Sequence, residues 1–267
     1  MAITTLDGAI AGMQWPRHFV KAVGGTMVAG RPQSYWTIAG TPGAGAIGAT
    51  LNGTNQDNTT TGCLSFTNPG SGNTYLARLQ GCATIAGQLM LIDRLWSNTI
   101  ATTTTGAQSI TQPTLPARSA DGTSNGLGVQ LAFETTATMS ATTPVLAGLT
   151  YTNETGTGSR AATIIDAFAS GAIAGNFLRT ALQAGDQGVR SVQSVNFSTA
   201  WTSGTFGLVA YRVIAILEMP AALIPNAIDA LTSGMPRIFD SSCLQLVFIP
   251  NTTTTSNIMG SVVWTQG

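Results

Sequence analysis

After residue 74, apolar and polar positions alternate with a period of two over much of the chain, the spacing of β-strands whose two faces meet different surroundings. Tyr75-Leu76-Ala77-Arg78-Leu79 opens one such run, and residues 88–96 are apolar enough for a second. Val129, Leu131 and Phe133 alternate with Gln130, Ala132 and Glu134, the mark of a half-buried strand. The longest run covers residues 208–219 and ends at Pro220. Within it Val209, Tyr211, Val213, Ala215, Leu217 and Met219 read as one wholly apolar face, while Arg212 and Glu218 interrupt the other. Residues 149–152 and 161–165 flank the polar turn 153–158, which predicts a hairpin. The chain closes with residues 244–249 and 258–264 around a polar loop at 251–257, a pattern that reads as a terminal hairpin.

Helix signals are few. Residues 4–13 suit one short helix capped by a threonine or Asp7, weakened by Gly8 and Gly12. Residues 225–231 suit another, with Pro225 in the first turn and Gly234 past the end. Between residues 15 and 58 no period holds, although Trp15, Phe19, Tyr35 and Trp36 supply apolar anchors. The expected fold is therefore all-β, an antiparallel β-sandwich or jelly roll with one or two short helices. Residues 1–60 are expected as an N-terminal arm or loop-rich subdomain, and residues 61–267 as the β-sandwich domain.

Charge narrows the functional classes. Only 8% of the 267 residues are charged, against roughly 25% in an ordinary soluble domain. Eleven bases balance eleven acids, and Lys21 is the sole lysine. The arginines are scattered singly, so neither a nucleic-acid footprint nor a polybasic membrane contact is expected. The longest apolar stretches fall short of the roughly 18 residues of a membrane-spanning helix. The opening residues 1–13 lack a basic region and do not read as a secretory signal. A neutral surface coated with Thr, Ser, Asn and Gln also lowers the self-repulsion that opposes packing of copies.

Catalytic motifs are present only in outline. Gly43-Ala44-Gly45-Ala46-Ile47-Gly48 matches G-x-G-x-x-G, but no helical period follows and no acid lies about 20 residues on to hold a ribose. Gly122-Thr123-Ser124-Asn125-Gly126 matches G-x-S-x-G, yet a loop precedes Ser124 and a strand follows it, the reverse of a nucleophile elbow. His18 is the one histidine, and it reads as a packing or interface residue. Cys63, Cys82 and Cys243 are too far apart for a zinc arrangement or a disulfide framework and read as small core residues. Asp93, Glu134, Asp166 and Glu218 lie on or beside expected strands, where two acids can meet in space as in a glycosidase. Arg212 and Glu218 read instead as cross-strand charge partners. No catalytic, cofactor-binding or metal-ligating residue is assigned on this basis.

Several blocks carry a family likeness. Leu76-Ala77-Arg78-Leu79 through Leu91-Ile92-Asp93-Arg94-Leu95-Trp96, Leu115-Pro116-Ala117-Arg118, the block from Ala181 to Arg190, and the ending Val262-Val263-Trp264-Thr265-Gln266-Gly267 resemble uncharacterised tailed-bacteriophage virion structural proteins. The likeness runs over most of residues 60–267 and brings no catalytic motif with it. It implies a non-enzymatic part of the particle, assembled in the host cytoplasm. A capsid decoration (cement) protein comes first, held by contacts with its own copies, a trimer being one candidate, and with the major capsid protein. A tail- or fibre-associated component that binds a receptor or glycan through exposed aromatics is the alternative, with Trp36, Trp96, Trp201 and Trp264 as candidates. An all-β glycoside hydrolase stands third.

Overall fold

The computed structural model describes residues 3–140, 145–166, 168 and 172–267. In chain order the elements are α1 (Leu6–Ala11), β1 (Arg17–Ala22), β2 (Gln33–Ser34), β3 (Gly40–Thr41), β4 (Thr54–Asn55), β5 (Thr74–Ala83), β6 (Gly87–Ser97), β7 (Gly106–Ser109), β8 (Gln130–Ala137) and β9 (Leu146–Asn153). They continue as β10 (Arg160–Ala161), β11 (Thr163–Ile164), β12 (Phe177–Ala181), β13 (Val189–Phe197), β14 (Thr205–Met219), β15 (Asn226–Asp229), α2 (Ala230–Ser233), β16 (Arg237–Ile238), β17 (Leu244–Pro250) and β18 (Asn257–Gln266). The fold is all-β, with antiparallel sheets packed together as the alternation requires.

Three sheets result. A six-stranded sheet runs β15-β5-β18-β1-β3, with β16 beside β5; a four-stranded sheet runs β10-β9-β13-β7. An eight-stranded sheet runs β11-β12-β8-β14-β6-β17-β2, with β4 beside β6. This central sheet curls until its sides meet. The Ser34 amide donates to the Gly175 carbonyl at 2.6 Å, the Phe177 amide donates to the Pro32 carbonyl at 2.9 Å, and Gln33 bridges Asn176. The inward face carries Met90, Ile92, Phe177, Val209, Tyr211 and Val247 as one apolar cluster. Closure removes the unpaired edges that an open sheet would expose.

The outward face of the curled sheet is covered at its two ends. Leu89 and Leu91 of β6, Leu217 of β14 and Phe248 of β17 pack against Phe19, Leu79 and Val262 of the six-stranded sheet. Leu95 of β6, Phe133 of β8 and Phe206 of β14 pack against Leu149, Val192 and Phe197 of the four-stranded sheet. Strand β6 is thus buried on both faces, which is why residues 88–96 read as a nearly continuous apolar run instead of an alternation.

Four expectations need correction. The apolar stripe of 208–219 is not one face: register shifts of β14 against β6 at Ala210/Tyr211 and Val213/Ala215 turn Val209 and Tyr211 into the closed sheet but Leu217 and Met219 outward, under the six-stranded sheet. Residues 244–249 and 258–264 are no hairpin. β17 belongs to the central sheet and β18 to the six-stranded one, and the loop between them carries the chain across the core. Residues 225–231 begin as strand β15, paired to β5, and turn helical only at α2, where Asp229 caps the first turn and Gly234 ends it in the left-handed conformation. Finally, residues 1–60 are loop-rich but do not stand apart, because β1 lies between β18 and β3, and β2 closes the central sheet. The first helix forms as expected, with Thr5 Oγ1 accepting from the Gly8 amide at 3.1 Å. The 153–158 hairpin forms too, as β9 pairs with β10.

Candidate functional sites: a charged interior and an apolar outer face

In a chain this poor in charge, the ionic groups that fold inward are the first places to look for chemistry. Arg94 follows Ile92 by two positions on β6 and so points into the closed sheet. There its Nη1 meets Glu134 Oε2 at 2.8 Å, both side chains being essentially without solvent contact. Gln245 of β17 joins the pair: its Oε1 accepts from Arg94 Nη1 at 3.1 Å, and its Nε2 donates to Ser34 Oγ at 2.7 Å. The guanidinium lies over the Trp36 ring, 4.6 Å from its centroid. The group crosses the lumen from β6, β17 and β2 to β8, tying β8 to strands it does not border.

A second cluster sits on the outward face where the two smaller sheets leave a seam. On β6, Asp93 falls between Leu91 of one outer core and Leu95 of the other. Its carboxylate accepts from Ser242 Oγ at 2.8 Å and from the Cys243 amide at 2.9 Å, and it faces Arg118 Nη1 at 3.4 Å. Arg118 also donates to the carbonyls of Gln56, at 2.6 Å, and Ser241. Arg212, opposite Asp93 in register, donates to the carbonyls of Arg118 at 3.0 Å and Arg237 at 3.2 Å, with Phe239 against its guanidinium. A cleft of about 530 Å³ lies over this seam, and Asp57 and Asp121 stand at its rim. The Thr59 hydroxyl holds the Asp57 carboxyl below the usual carboxylate range, and the Thr123 amide does the same for Asp121. These rim acids are ionised at neutral pH and have no proton to give, while the arginines beneath donate to backbone carbonyls, Arg118 also facing Asp93. The contacts of the seam hold β6 and β14 to the segments around Gln56, Arg118 and Ser241.

Lys21 forms the third inward cluster. It alternates with Phe19 on the buried side of β1, and its ammonium donates to the carbonyls of Tyr35 at 2.9 Å, Ile38 at 2.8 Å and Gly43 at 3.2 Å. Burial pushes its pKa down to about 8. A fourth cluster is half-buried on the four-stranded sheet. There Arg160 grips Asp186 through Nε and Nη2, both at 2.8 Å, while Tyr151 donates to the same carboxylate at 2.6 Å and Asn153 at 2.8 Å. The Arg160 contact holds the Asp186 carboxyl far below its ordinary range.

The residues that the sequence nominates are dispersed. Asp93 and Glu134 lie on opposite faces of the central sheet, each against an arginine. Asp166 is gripped by Arg179 at 2.9 Å, and Glu218 accepts from Gln88 at 2.9 Å across the strand pair, so it does not partner Arg212. Ser124 sits in a turn held by Asp121, whose Oδ2 accepts from Asn125 Nδ2 at 2.9 Å, while exposed His18 is on β1 of the six-stranded sheet. In the 43–48 loop, Gly45 packs directly on the Trp36 indole, whose Nε1 donates to the Ala46 carbonyl at 2.8 Å; any side chain at Gly45 would meet the ring. Trp36, Trp96, Trp201 and Trp264 are all buried. Cys63 and Cys243 are buried as expected, and Cys82 is half-buried. Sequence reasoning passed over Arg94, Gln245, Arg118 and Lys21. For Arg94 a signal existed, an Asp-Arg pair set inside an otherwise apolar strand.

The six-stranded sheet reverses this distribution on its outer side. Val20 and Met259 are directly opposite each other in register and stand 48% and 37% exposed, while their neighbours Phe19 and Ile258 fill the core. Beside β18, the α1 region exposes Leu6, Ile10, Met13 and Trp15, the last 87% exposed. Beside β5 and β15, Leu223, Ile224 and Leu231 do the same. Nine of the thirteen exposed large apolar side chains among the described residues therefore belong to this sheet or to segments joined to it. A groove of about 560 Å³ crosses it, lined by Gln80, Cys82, Asn226 and Met259 among others.

These features define an all-β protein of three packed antiparallel sheets, one of them closed, with its ionic groups used as internal fasteners. Comparison with family models, curated proteins and solved structures gives no match for this chain.

Proposed function

We propose that this chain is a non-enzymatic structural subunit that assembles through the outer side of its six-stranded sheet, and that its setting is a virion, where it decorates and stabilises a phage head shell. The observation that carries the reading is the gathering of exposed apolar side chains around one sheet. Scattered single apolar residues are ordinary on a surface, but a concentration at one site marks contact with another macromolecule. Balanced charge favours the same role, since eleven bases and eleven acids leave no net repulsion between copies. The virion setting rests on the phage-like blocks spread over residues 60–267. Many copies on a shell multiply modest contacts through avidity, which suits a small apolar patch.

The test uses purified shells that lack the protein. Added protein is expected to bind at fixed sites and to raise the temperature at which shells disrupt, and Val20→Lys with Met259→Lys is expected to abolish both effects. Absence of the protein from purified particles overturns the virion setting. Presence on tails with none on heads transfers the role to a tail component.

A further inference from the structure

The turn that ends at Cys63 meets the start of β17, where the Leu64 amide donates to the Leu244 carbonyl at 2.9 Å. This contact sets Cys63 beside Cys243, and the two pack with Trp36 as one small buried cluster. Both thiols are free. We propose that Cys63 and Cys243 are a cross-linking site, which closes to an intramolecular disulfide when the protein meets a low-molecular-weight disulfide. This inference does not depend on the assembly reading.

The surroundings divide the roles of the two sulfurs. Cys63 follows a surface turn in which Asp57, Thr59 and Thr61 are exposed, so a small opening of that turn admits a reagent. The Cys63 thiol donates to the Asn58 carbonyl of that turn at 3.2 Å, and the neighbouring Cys243 thiol lowers the Cys63 pKa against the opposing pull of burial. Burial pushes the Cys243 thiol well up and keeps it protonated. Cys63 is therefore the attacking group. Its thiolate displaces one thiolate from the reagent as the reagent's sulfur–sulfur bond breaks, giving a mixed disulfide on Cys63. The Cys243 sulfur then attacks the Cys63 sulfur as its proton passes to the departing reagent sulfur, releasing the second reagent thiol. The protein loses two hydrogens and the reagent is reduced to two thiols. The new bond ties a surface turn to the strand beside Asp93 and closes a long loop, which restricts the unfolded chain.

Cys82 stands on a different sheet and is removed as Cys82→Ser to leave only the pair. The full-length chain with this substitution is incubated with excess 2-hydroxyethyl disulfide, then read by intact mass, by thiol titration in denaturant and by thermal melting. The expected result is a monomer lighter by two hydrogens, loss of both titratable thiols, and a melting temperature several degrees higher that returns to its starting value on reduction. Adding Cys63→Ser, a change beside a surface turn, is expected to abolish the mass loss and the melting shift. Persistence of both thiols, adducts that never close, or disulfide-linked dimers as the main product would each overturn the pair.

Discussion

The inside of the closed sheet and the outside of the six-stranded sheet each include groups their environment ordinarily excludes: an ion pair among apolar side chains in one, large apolar side chains in water on the other. Inside, Arg94 and Glu134 face each other with essentially no solvent contact; outside, Trp15, Val20 and Leu231 stand in water. Each arrangement has a cost, and the two costs differ in kind. A buried ion pair gives up hydration that its attraction only partly offsets, and what it contributes is a single way of joining strands across the lumen. An exposed apolar patch leaves burial unused in the lone subunit, and that burial becomes available when a partner covers it. On the proposed reading, the buried pair fixes how the strands join inside, and association uses the outside.

The largest effect is expected from breaking the interior. Glu134→Ala leaves Arg94 charged and unpaired in the lumen and is expected to lower unfolding stability by about 3–5 kcal/mol. Replacing both members, Arg94→Met with Glu134→Leu, is expected to recover most of that loss in denaturant unfolding. If the double variant is as unstable as the single one, the pair contributes more than mutual compensation. At the seam, Asp93→Asn keeps the shape but weakens the contacts to Ser242, the Cys243 amide and Arg118, with an expected loss of about 1.5–3 kcal/mol.

Lys21 sharpens the contrast through pH. Its folded pKa of about 8 lies below the ordinary 10.5, so between these values the unfolded chain binds more protons than the folded one. Stability from this group therefore rises with pH across that window. Tyr35 and Tyr211 act in the opposite sense above about pH 10. Burial raises their pKa values, so the fold keeps them protonated while the unfolded chain ionises. Melting curves of the native chain are expected to climb between pH 8 and pH 10 relative to Lys21→Met, and equal slopes would remove Lys21 from the account.

Legibility followed burial. Where a strand has one wet face, as at 130–134, period-two alternation gave the element directly. β1 escaped because a lysine occupies an inward position, so Phe19-Val20-Lys21 breaks the expected order of apolar and polar. The long strand was legible as a strand but not as two faces, since a bulge is a property of pairing and leaves no mark in the alternation. The terminal pair misled because a hairpin and a crossing between sheets have the same pattern of strand, polar loop and strand. The interior pair was out of reach for the same reason: Arg94 and Glu134 become neighbours only when the sheet closes, and closure rests on backbone contacts at Ser34 and Phe177. The apolar outer side could not be read, because Val20, Met259 and Leu231 look like core residues until the strands are placed.

The smallest change in stability is expected outside. Val20→Lys with Met259→Lys removes apolar surface partly in water and sets two like charges opposite each other, and its effect on subunit unfolding is expected to stay within about 1 kcal/mol. The same variant gives the most direct test of the central claim, through native mass measured by light scattering across a concentration series. The account predicts that the unsubstituted chain forms a defined assembly of its 27.4 kDa subunit and that the double variant remains a folded monomer. An unsubstituted chain that is monomeric at every concentration, or a double variant that assembles as before, would contradict it.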